Sequence, residues 1–398
     1  MIANVAFLAI GFLKEFWLIQ ILLIFIIERK EFFLRLNLAG LELVLDIRQV
    51  YVSYDVDKKA IMSEIRQNII TRDWVIIATD RAKRPHEFTR KDSPKIEIPE
   101  YRHDCPFCPG NEHLATKEFL RIEENNEWKI RVISNKYPAL SPEGERFRWK
   151  IGINSTITGV GVHDVIVETP KHNSITALLP EKDIYNLLLA FKLRYEEIAK
   201  DTRMETIVIF KNHGESAGTS LEHPHCQIAA TPVVPYSFRA RIQEVMRYFD
   251  DYGDCIFCRT ALDEIAAGTR IIAENVNFIA FVPYAALSPF HIWIFPREHT
   301  SSYEDATLEE LKDLAKILKK VLSMLYFGLG NPDYNFTIRS TPLAERRTKY
   351  YHWYLSIVPR ITKQAGFEMG SGMYINPSLP EESAEYLRNV EIPIPPKW

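Results

Sequence analysis

Cys105-Pro106-Phe107-Cys108, then Pro170-Lys171-His172, then His223, is answered further along the chain by Cys255-Ile256-Phe257-Cys258, then Pro296-Arg297-Glu298-His299, then His352. The residue types recur in the same order, with nearly the same spacing between the two histidines, which indicates duplication of one structural unit. The gap from the cysteine pair to the first histidine is longer in the first set, as loop insertion would produce. Secondary-structure signals repeat with the motifs. His163-Asp-Val-Ile-Val-Glu168 and His291-Ile-Trp-Ile-Phe295 read as buried strands. Each is followed by a polar turn and then an amphipathic helix, Glu181 to Lys200 and Leu308 to Leu325, with apolar residues at intervals of three and four. A further strand follows in each half, Thr206-Ile-Val-Ile-Phe210 and Tyr334-Asn-Phe-Thr-Ile338. The fold class this implies is α+β, two duplicated units that are each an antiparallel sheet covered by helices.

Two cysteines and two histidines make a tetrahedral site suited to Zn2+; with all four positions filled, such a site is structural rather than catalytic. The candidate ligands are Cys105, Cys108, His172 and His223 in the first set, and Cys255, Cys258, His299 and His352 in the second. Five cysteines are too few for a disulfide scaffold, and four of them in Cys-x-x-Cys pairs favour metal or redox chemistry in a reducing compartment. A cytoplasmic location is expected. The 49 basic and 52 acidic residues are interspersed and leave a net charge of −3. That balance argues against a nucleic-acid partner, which needs a basic face. It does not prevent a few local arginines from holding a phosphorylated small molecule.

Residues 1–61 differ from the rest. The apolar run from Phe16 to Ile27 follows Lys14 and Glu15 and is shorter than the ~20 residues that cross a bilayer. No basic region precedes it and no small-residue cleavage site follows, so a secretory signal does not fit. The expected reading is a non-native extension from an upstream start codon, with Met62 as the working start; a membrane anchor and a helix packed on the protein are the alternatives. From Ser63 onward ordinary globular patterning begins, with Trp74-Val-Ile-Ile-Ala78 as a strand and Arg81-Ala-Lys-Arg-Pro85 as the polar turn after it. The expected division is an extension over 1–61, a first unit over 62–240 and a second over 241–398.

The chemistry concentrates in His223-Pro224-His225-Cys226-Gln227, which follows the glycine- and hydroxyl-rich loop Asn212-His-Gly-Glu-Ser-Ala-Gly-Thr-Ser220. Backbone N–H groups of such a loop cradle phosphate oxygens. In an extended segment residues 223, 225 and 227 share one side of the chain, placing a metal ligand, an imidazole and a carboxamide in a row. An imidazole attacks phosphorus to form a phosphoramidate, dividing nucleotidyl transfer into two easier displacements. A backbone carbonyl on its second ring nitrogen would fix the required tautomer. Cys226 is without a partner in this pattern and reads as a small packed side chain.

These motifs, with Arg81-Ala-Lys-Arg84, Asn135-Lys-Tyr-Pro-Ala-Leu140 and Gly366-Phe-Glu368, resemble the galactose-1-phosphate uridylyltransferase family of the histidine-triad superfamily over roughly residues 62 to 390. The resemblance implies that His225 carries the nucleotide and that Gln227 replaces the third histidine of the superfamily's hydrolases. A carboxamide there hydrogen-bonds phosphate without acting as an acid, which suits transfer to a sugar phosphate better than discharge to water. Arg81, Arg84 and Ser220 would hold phosphate oxygens, Asn135 and Asn212 would contact nucleoside or phosphate, and Glu368 would accept from sugar hydroxyls. The second repeat has His352-Trp-Tyr354-Leu-Ser356 at the corresponding place, so it keeps its metal and loses its chemistry. Zn2+ is expected at both sites, with iron as the alternative in the second.

The expected activity is transfer of UMP from UDP-glucose to galactose 1-phosphate by a ping-pong route through uridylyl-His225. Phosphorolysis of ADP-glucose, as in the ADP-glucose phosphorylase branch, is the near alternative, and a catalytically silent zinc-stabilised nucleotide-binding protein is the distant one. Lys136 stands where the uridylyltransferase pattern has an aspartate, and Tyr374 where it has a glutamine that grips the hexose. Both departures bear on the nucleotide and sugar rather than on the nucleophile. The partners expected are a nucleotide sugar, a hexose 1-phosphate and a second copy of the chain in a homodimer, with no nucleic acid and no membrane.

Overall fold

A computed structural model of the chain describes residues 33–38, 41–46, 49–54, 63–78, 88 and 98–393. The chain separates into two compact units, Met1–Ile61 and Met62–Trp398. In the first, β1 (Phe33–Leu38), β2 (Leu41–Asp46) and β3 (Gln49–Tyr54) form an antiparallel meander. The apolar run 16–27, for which the sequence offers a start-codon extension, an anchor or a packed helix, lies outside the described residues, as do Arg81 and Arg84. Among the described residues no helix is long and apolar enough to cross a membrane.

The second unit begins with β4 (Glu64–Gln67) and β5 (Trp74–Ile77). Its first half continues with β6 (Glu118–Glu124), β7 (Glu127–Ser134), the hairpin β8 (Arg148–Ile151) and β9 (Asn154–Ile157), β10 (Val162–Val167), helix α1 (Glu181–Ile198), β11 (Thr206–His213) and β12 (His225–Thr231). Helices α2 (Tyr236–Tyr252) and α3 (Ile256–Ala267) lead into β13 (Ile271–Glu274), β14 (Phe278–Phe281), β15 (Ile292–Pro296), α4 (Leu308–Leu329), β16 (Tyr334–Arg339) and β17 (Tyr354–Pro359). The chain closes with α5 (Gly366–Ser371), β18 (Tyr374–Asn376), which pairs in parallel with β5, and α6 (Pro380–Arg388).

The main sheet has ten strands in the order β13-β14-β15-β17-β16-β11-β12-β10-β7-β6. Read from its two ends, this order is the same five-strand pattern twice, meeting at the antiparallel pair β11 and β16, where Ile209 faces Ile338 and His213 faces Tyr334. The fold class follows the sequence reading in its duplication and in its helix-covered antiparallel strands. It differs in one respect: the two sheets are joined edge to edge into one. Both joining strands are apolar and buried, and leaving their hydrogen-bonding edges open would invite pairing with another chain.

Strand alternation divides the sheet into two faces. Ile166, Cys226, Ile228, Ile294, Leu355 and Ile357 enter one core with the apolar stripes of α1 and α4. The opposite face carries Val165 and Val167 against Cys105, Phe107 and Cys108 in the first half, and Trp293, Phe295 and Tyr354 against Cys255 and Phe257 in the second. The metal-type residues and His225 lie on that opposite face. Helix α4 starts at a capping box, Thr307 accepting from the Glu310 backbone N–H while the Glu310 carboxylate accepts from Thr307, and ends at Gly330 in the left-handed region.

Beneath β12, on the helix face, the fully buried Glu168 carboxylate meets the Lys211 ammonium, accepts from Thr176 Oγ1 at 2.6 Å and lies 3.0 Å from Cys226 Sγ. Cys226, without a partner in the sequence pattern, therefore has one: its thiol donates to Glu168, and burial pushes that thiol well above its ordinary range. Burial pushes the Glu168 carboxyl up, but the adjacent ammonium and hydrogen bonds win and hold it below its ordinary value. Removing one member of a buried pair strands the other. Lys211→Met is expected to cost about 3–5 kcal/mol in denaturant unfolding at neutral pH. In the wild type the pair's contribution is present above the unfolded carboxyl value, about 4.3, and fades as pH falls through the lower folded one. In Lys211→Met the folded value rises above the unfolded one, so mild acidification narrows the deficit; a deficit that stays constant from pH 7 to 5 contradicts this account.

Candidate active site and metal centres

His225 opens β12 at the edge of a loop whose shape is set by glycine. Gly214 and Gly218 have φ of +83° and +89°, a region that favours glycine, and a Cβ on Gly214 would stand 2.1 Å from Asp333 Oδ1. The same carboxylate accepts from the Ser216 backbone N–H at 2.8 Å, so the α4–β16 turn of the second half pins the loop of the first. Thr219 Oγ1 donates to the Asn212 carbonyl at 2.6 Å. Asn335 Nδ2 donates to Asn212 Oδ1 at 2.8 Å.

The His225 ring is 8% exposed, with Nδ1 2.9 Å from the His223 carbonyl oxygen. Only a protonated Nδ1 can donate to that carbonyl, so the lone pair of the neutral ring resides on Nε2. Burial holds the ring's pKa below its ordinary value and so favours this neutral form at physiological pH. Phe107 packs against the ring at 5.6 Å between centroids. Two cavities meet at His225. One, of about 440 Å3, has apolar walls of Phe107, Ile133, Val165 and Leu221, with Asn135, Lys136 and Gln227 at its polar positions. The other, of about 430 Å3, is the more polar of the two and includes Asn212, Glu215, Asn331 and Asp333 in its lining. Ser220 and Leu221 border both cavities together with His225. An apolar slot beside a polar one, with an imidazole between them, has the form needed for a base-bearing phosphate ester and its leaving group.

Cys105, Cys108, His172 and His223 bring their donor atoms within 4.8 Å of one another, and so do Cys255, Cys258, His299 and His352. A tetrahedral centre with bonds of ~2.3 Å to sulfur and ~2.0 Å to nitrogen requires donor separations of roughly 3.3–3.8 Å. The first cluster has Cys108 Sγ at 3.5 Å from His172 Nδ1 and 3.7 Å from His223 Nδ1, with the two nitrogens 3.3 Å apart. In the second, Cys258 Sγ is 3.3 Å from His299 Nδ1 and 3.5 Å from His352 Nδ1. Both clusters could hold a metal ion. Two of the four outer nitrogens are held as ligand histidines require: His223 Nε2 donates to the Thr169 carbonyl at 2.8 Å and His299 Nε2 to the Thr348 carbonyl at 3.2 Å, whereas the buried Nε2 atoms of His172 and His352 have no hydrogen-bond partner among the described residues. All five cysteines are free thiols.

Of the residues singled out in the sequence, His225, Gln227, Asn135, Asn212 and Ser220 gather around the two cavities. Glu368 does not join them. It accepts from the Ala365 backbone N–H at 2.9 Å and lines a third cavity of about 200 Å3 with Arg339, Ser356, Arg360, Lys363 and Tyr374. That cavity belongs to the second half and contains Ser356, the counterpart of Gln227. Tyr354, the counterpart of His225, is buried and packed among Phe257, Trp293 and Phe295. Sequence reasoning did not single out Asp333 and Asn335, which support the loop from the other half. Nothing local marks them, since their role depends on the β11–β16 junction. It also placed His163 only as the start of a strand, whereas its ring lies 2.8 Å from Gln227 Oε1.

Comparison with known proteins agrees with this layout. The sequence model of the galactose-1-phosphate uridyl transferase N-terminal domain matches residues 52–235, and that of the C-terminal domain matches residues 241–389. ADP-glucose phosphorylase of Arabidopsis thaliana is 38% identical over 334 residues, covering 83% of this chain and 93% of that protein. Galactose-1-phosphate uridylyltransferase of Thermotoga maritima is 28% identical over 343 residues, covering 84% of this chain and all of that protein. Among solved structures, the Arabidopsis ADP-glucose phosphorylase with bound ADP-glucose superposes with a TM-score of 0.71 at 34% identity, covering 83% of this chain and 99% of that one. A uridylyltransferase structure superposes with a TM-score of 0.64 at 28% identity, over 82% and 97% of the two chains.

Proposed function

The chain belongs to the galactose-1-phosphate uridyl transferase family, and from that premise we propose that it is a nucleotidylyltransferase in which His225 carries the nucleotide, with ADP-glucose as donor and inorganic phosphate as acceptor. The observation that carries the reading is the His225 ring itself, buried, held through Nδ1 by the His223 carbonyl, and placed where an apolar and a polar cavity meet. Nε2 attacks the α-phosphorus of the nucleotide sugar, the bond to the glucose 1-phosphate oxygen breaks, and that product leaves. A phosphate oxygen then attacks the same phosphorus, the P–Nε2 bond breaks with its electron pair returning to the imidazole, and ADP forms. Gln227, Ser220 and Asn212 hold phosphate oxygens, Asn135 contacts the nucleoside, and Arg81 and Arg84 add positive charge.

The greater likeness to the Arabidopsis phosphorylase and the presence of Lys136 in the apolar cavity support adenylyl over uridylyl transfer. Transfer of UMP from UDP-glucose to galactose 1-phosphate is the second reading, favoured by the extent of the match to the uridylyltransferases. Intact mass after separate incubation with each nucleotide sugar tests both. An adenylyl increment on His225 is expected from ADP-glucose; a uridylyl increment from UDP-glucose alone supports the second reading, and neither increment in metal-loaded protein refutes both.

We also assign Zn2+ to both Cys2His2 clusters, with iron as the alternative in the second. Such an ion supplies cross-linking rather than a reactive water, because the four ligands fill a tetrahedron. Residues 62–240 form the nucleotide-carrying half and 241–398 the half without a nucleophile. Glu368 lines a cavity separate from the two at His225, which supports a homodimer in which the second half of one protomer supplies sugar contacts to the site of the other. Five cysteines outside any disulfide suit the cytoplasm.

A further inference from the structure

The ring of His163, on the same face of β10 as Val165 and Val167, is fixed on both of its nitrogens. Nδ1 accepts the Ala139 backbone N–H at 3.1 Å. The proton of the neutral ring is therefore on Nε2, which donates to Gln227 Oε1 at 2.8 Å. Asn135 Nδ2 lies 3.3 Å from the same Nε2, but Asn135 Oδ1 already accepts from the Tyr137 N–H at 2.9 Å. That contact sets donor against donor and adds no hydrogen bond. The second half repeats the device: His291 Nδ1 accepts from Leu287 N–H at 3.3 Å, and Nε2 lies 3.0 Å from Ser356 Oγ. Duplication thus kept the histidine in both halves, while its partner became a carboxamide only beside the nucleophile.

We propose that His163 is a positioning residue that turns the NH2 of the Gln227 carboxamide, rather than its oxygen, toward the site and thereby directs the nucleotidyl group on His225 to an anionic acceptor instead of water. The inference rests on the reading of His225 as the nucleotide carrier. With Oε1 held toward the His163 ring, the carboxamide turns its NH2 to a ligand in the apolar cavity. A phosphate oxyanion attacking the His225-bound phosphorus displaces Nε2 and has no proton to shed. A water molecule doing the same must give up a proton, and it first needs an acceptor to orient it. The amide NH2 accepts nothing, and the one oxygen of that side chain is held toward His163. A carboxamide free to rotate would offer its oxygen to that water half of the time.

The test uses the metal-loaded full chain, charged with ADP-glucose and then discharged with and without inorganic phosphate, with AMP and ADP quantified. His163→Phe removes the donor and is expected to raise the AMP-to-ADP ratio roughly tenfold, the value of one ordinary hydrogen bond. His163→Gln places an amide N–H near the former Nε2 and is expected to return the ratio toward the wild-type value. A folded His163→Phe enzyme that is merely slower, with an unchanged ratio, overturns the proposal. The 15N shifts of His163 in the wild-type protein give a readout independent of turnover and of the variant's folding: protonation on Nε2 with a bare Nδ1 is expected, and the opposite tautomer overturns it. Absence of any nucleotidyl increment in the wild type would strike the reading of His225 instead, while the tautomer still decides how Gln227 is held.

Discussion

Replacing His225 with alanine is expected to lower nucleotidyl transfer by on the order of 10^4-fold or more and to remove the mass increment from nucleotide-sugar incubation. The size of the effect follows from what the site lacks without this ring. Gln227 is a carboxamide whose oxygen is engaged by His163, and it has no lone pair suited to attack phosphorus. The buried Cys226 thiol faces the helix side of the sheet, and its pKa is raised by burial and by Glu168, so it supplies no thiolate to the other side. The second half offers no substitute either. Tyr354 is packed at 5.3 Å between centroids from both Trp293 and Phe295, and a histidine installed there would face an aromatic cluster rather than a substrate. Ligand binding should survive in His225→Ala, because the cavity walls contributed by Phe107, Ile133, Val165 and Leu221 are unchanged. A variant that keeps substantial turnover, measured by product formation with each nucleotide sugar, shows that the covalent route is wrong. Such a result would point instead to direct transfer from donor to acceptor within the same site.

The duplication was legible in the sequence because metal ligands are sparse and chemically distinctive. Cysteine pairs and histidines in the same order twice leave little room for coincidence, and the structure brings each set together. The strands and helices between them were legible because their apolar residues have to obey the periods of two and 3.6 that one buried face imposes. The union of the two sheets was not, because the pairing of β11 with β16 joins residues more than a hundred positions apart and neither strand carries a local mark of its neighbour. The same reason hid Asp333 and Asn335. They matter through a loop of the other half, and turn residues of those types occur for many reasons. His163 was quoted as a strand residue, since period-two patterning assigns it a face but no partner. Its repeat, His291, was the available signal: a polar residue kept at the head of the same strand in both halves calls for a reason other than packing.

The two clusters should respond differently to loss of a ligand, and the contrast separates their roles. In the first half His223 is both a candidate ligand through Nδ1 and, through its backbone carbonyl, the acceptor that fixes His225. Loosening the cluster therefore loosens the nucleophile's tautomer and aim. Cys108→Ser is expected to remove one metal equivalent by elemental analysis and to lower stability by roughly 3 kcal/mol or more, since metal binding contributes directly to folding. It should also reduce kcat in the fraction that remains folded by on the order of 100-fold, the usual scale for a misplaced reacting group. Cys258→Ser in the second half should give a comparable loss of metal and of stability. Its kcat per folded molecule should stay close to wild type, because His352 is followed by the inert Tyr354 and no reacting group depends on its carbonyl. The measurement is kcat normalised to active-site titre by nucleotidyl labelling, beside melting temperature and metal content. Equal losses of normalised kcat in the two variants would mean that both clusters act only by holding the fold together. A selective loss in Cys108→Ser would instead trace the coupling through two backbone atoms, from ligand to carbonyl to the Nδ1 proton of His225.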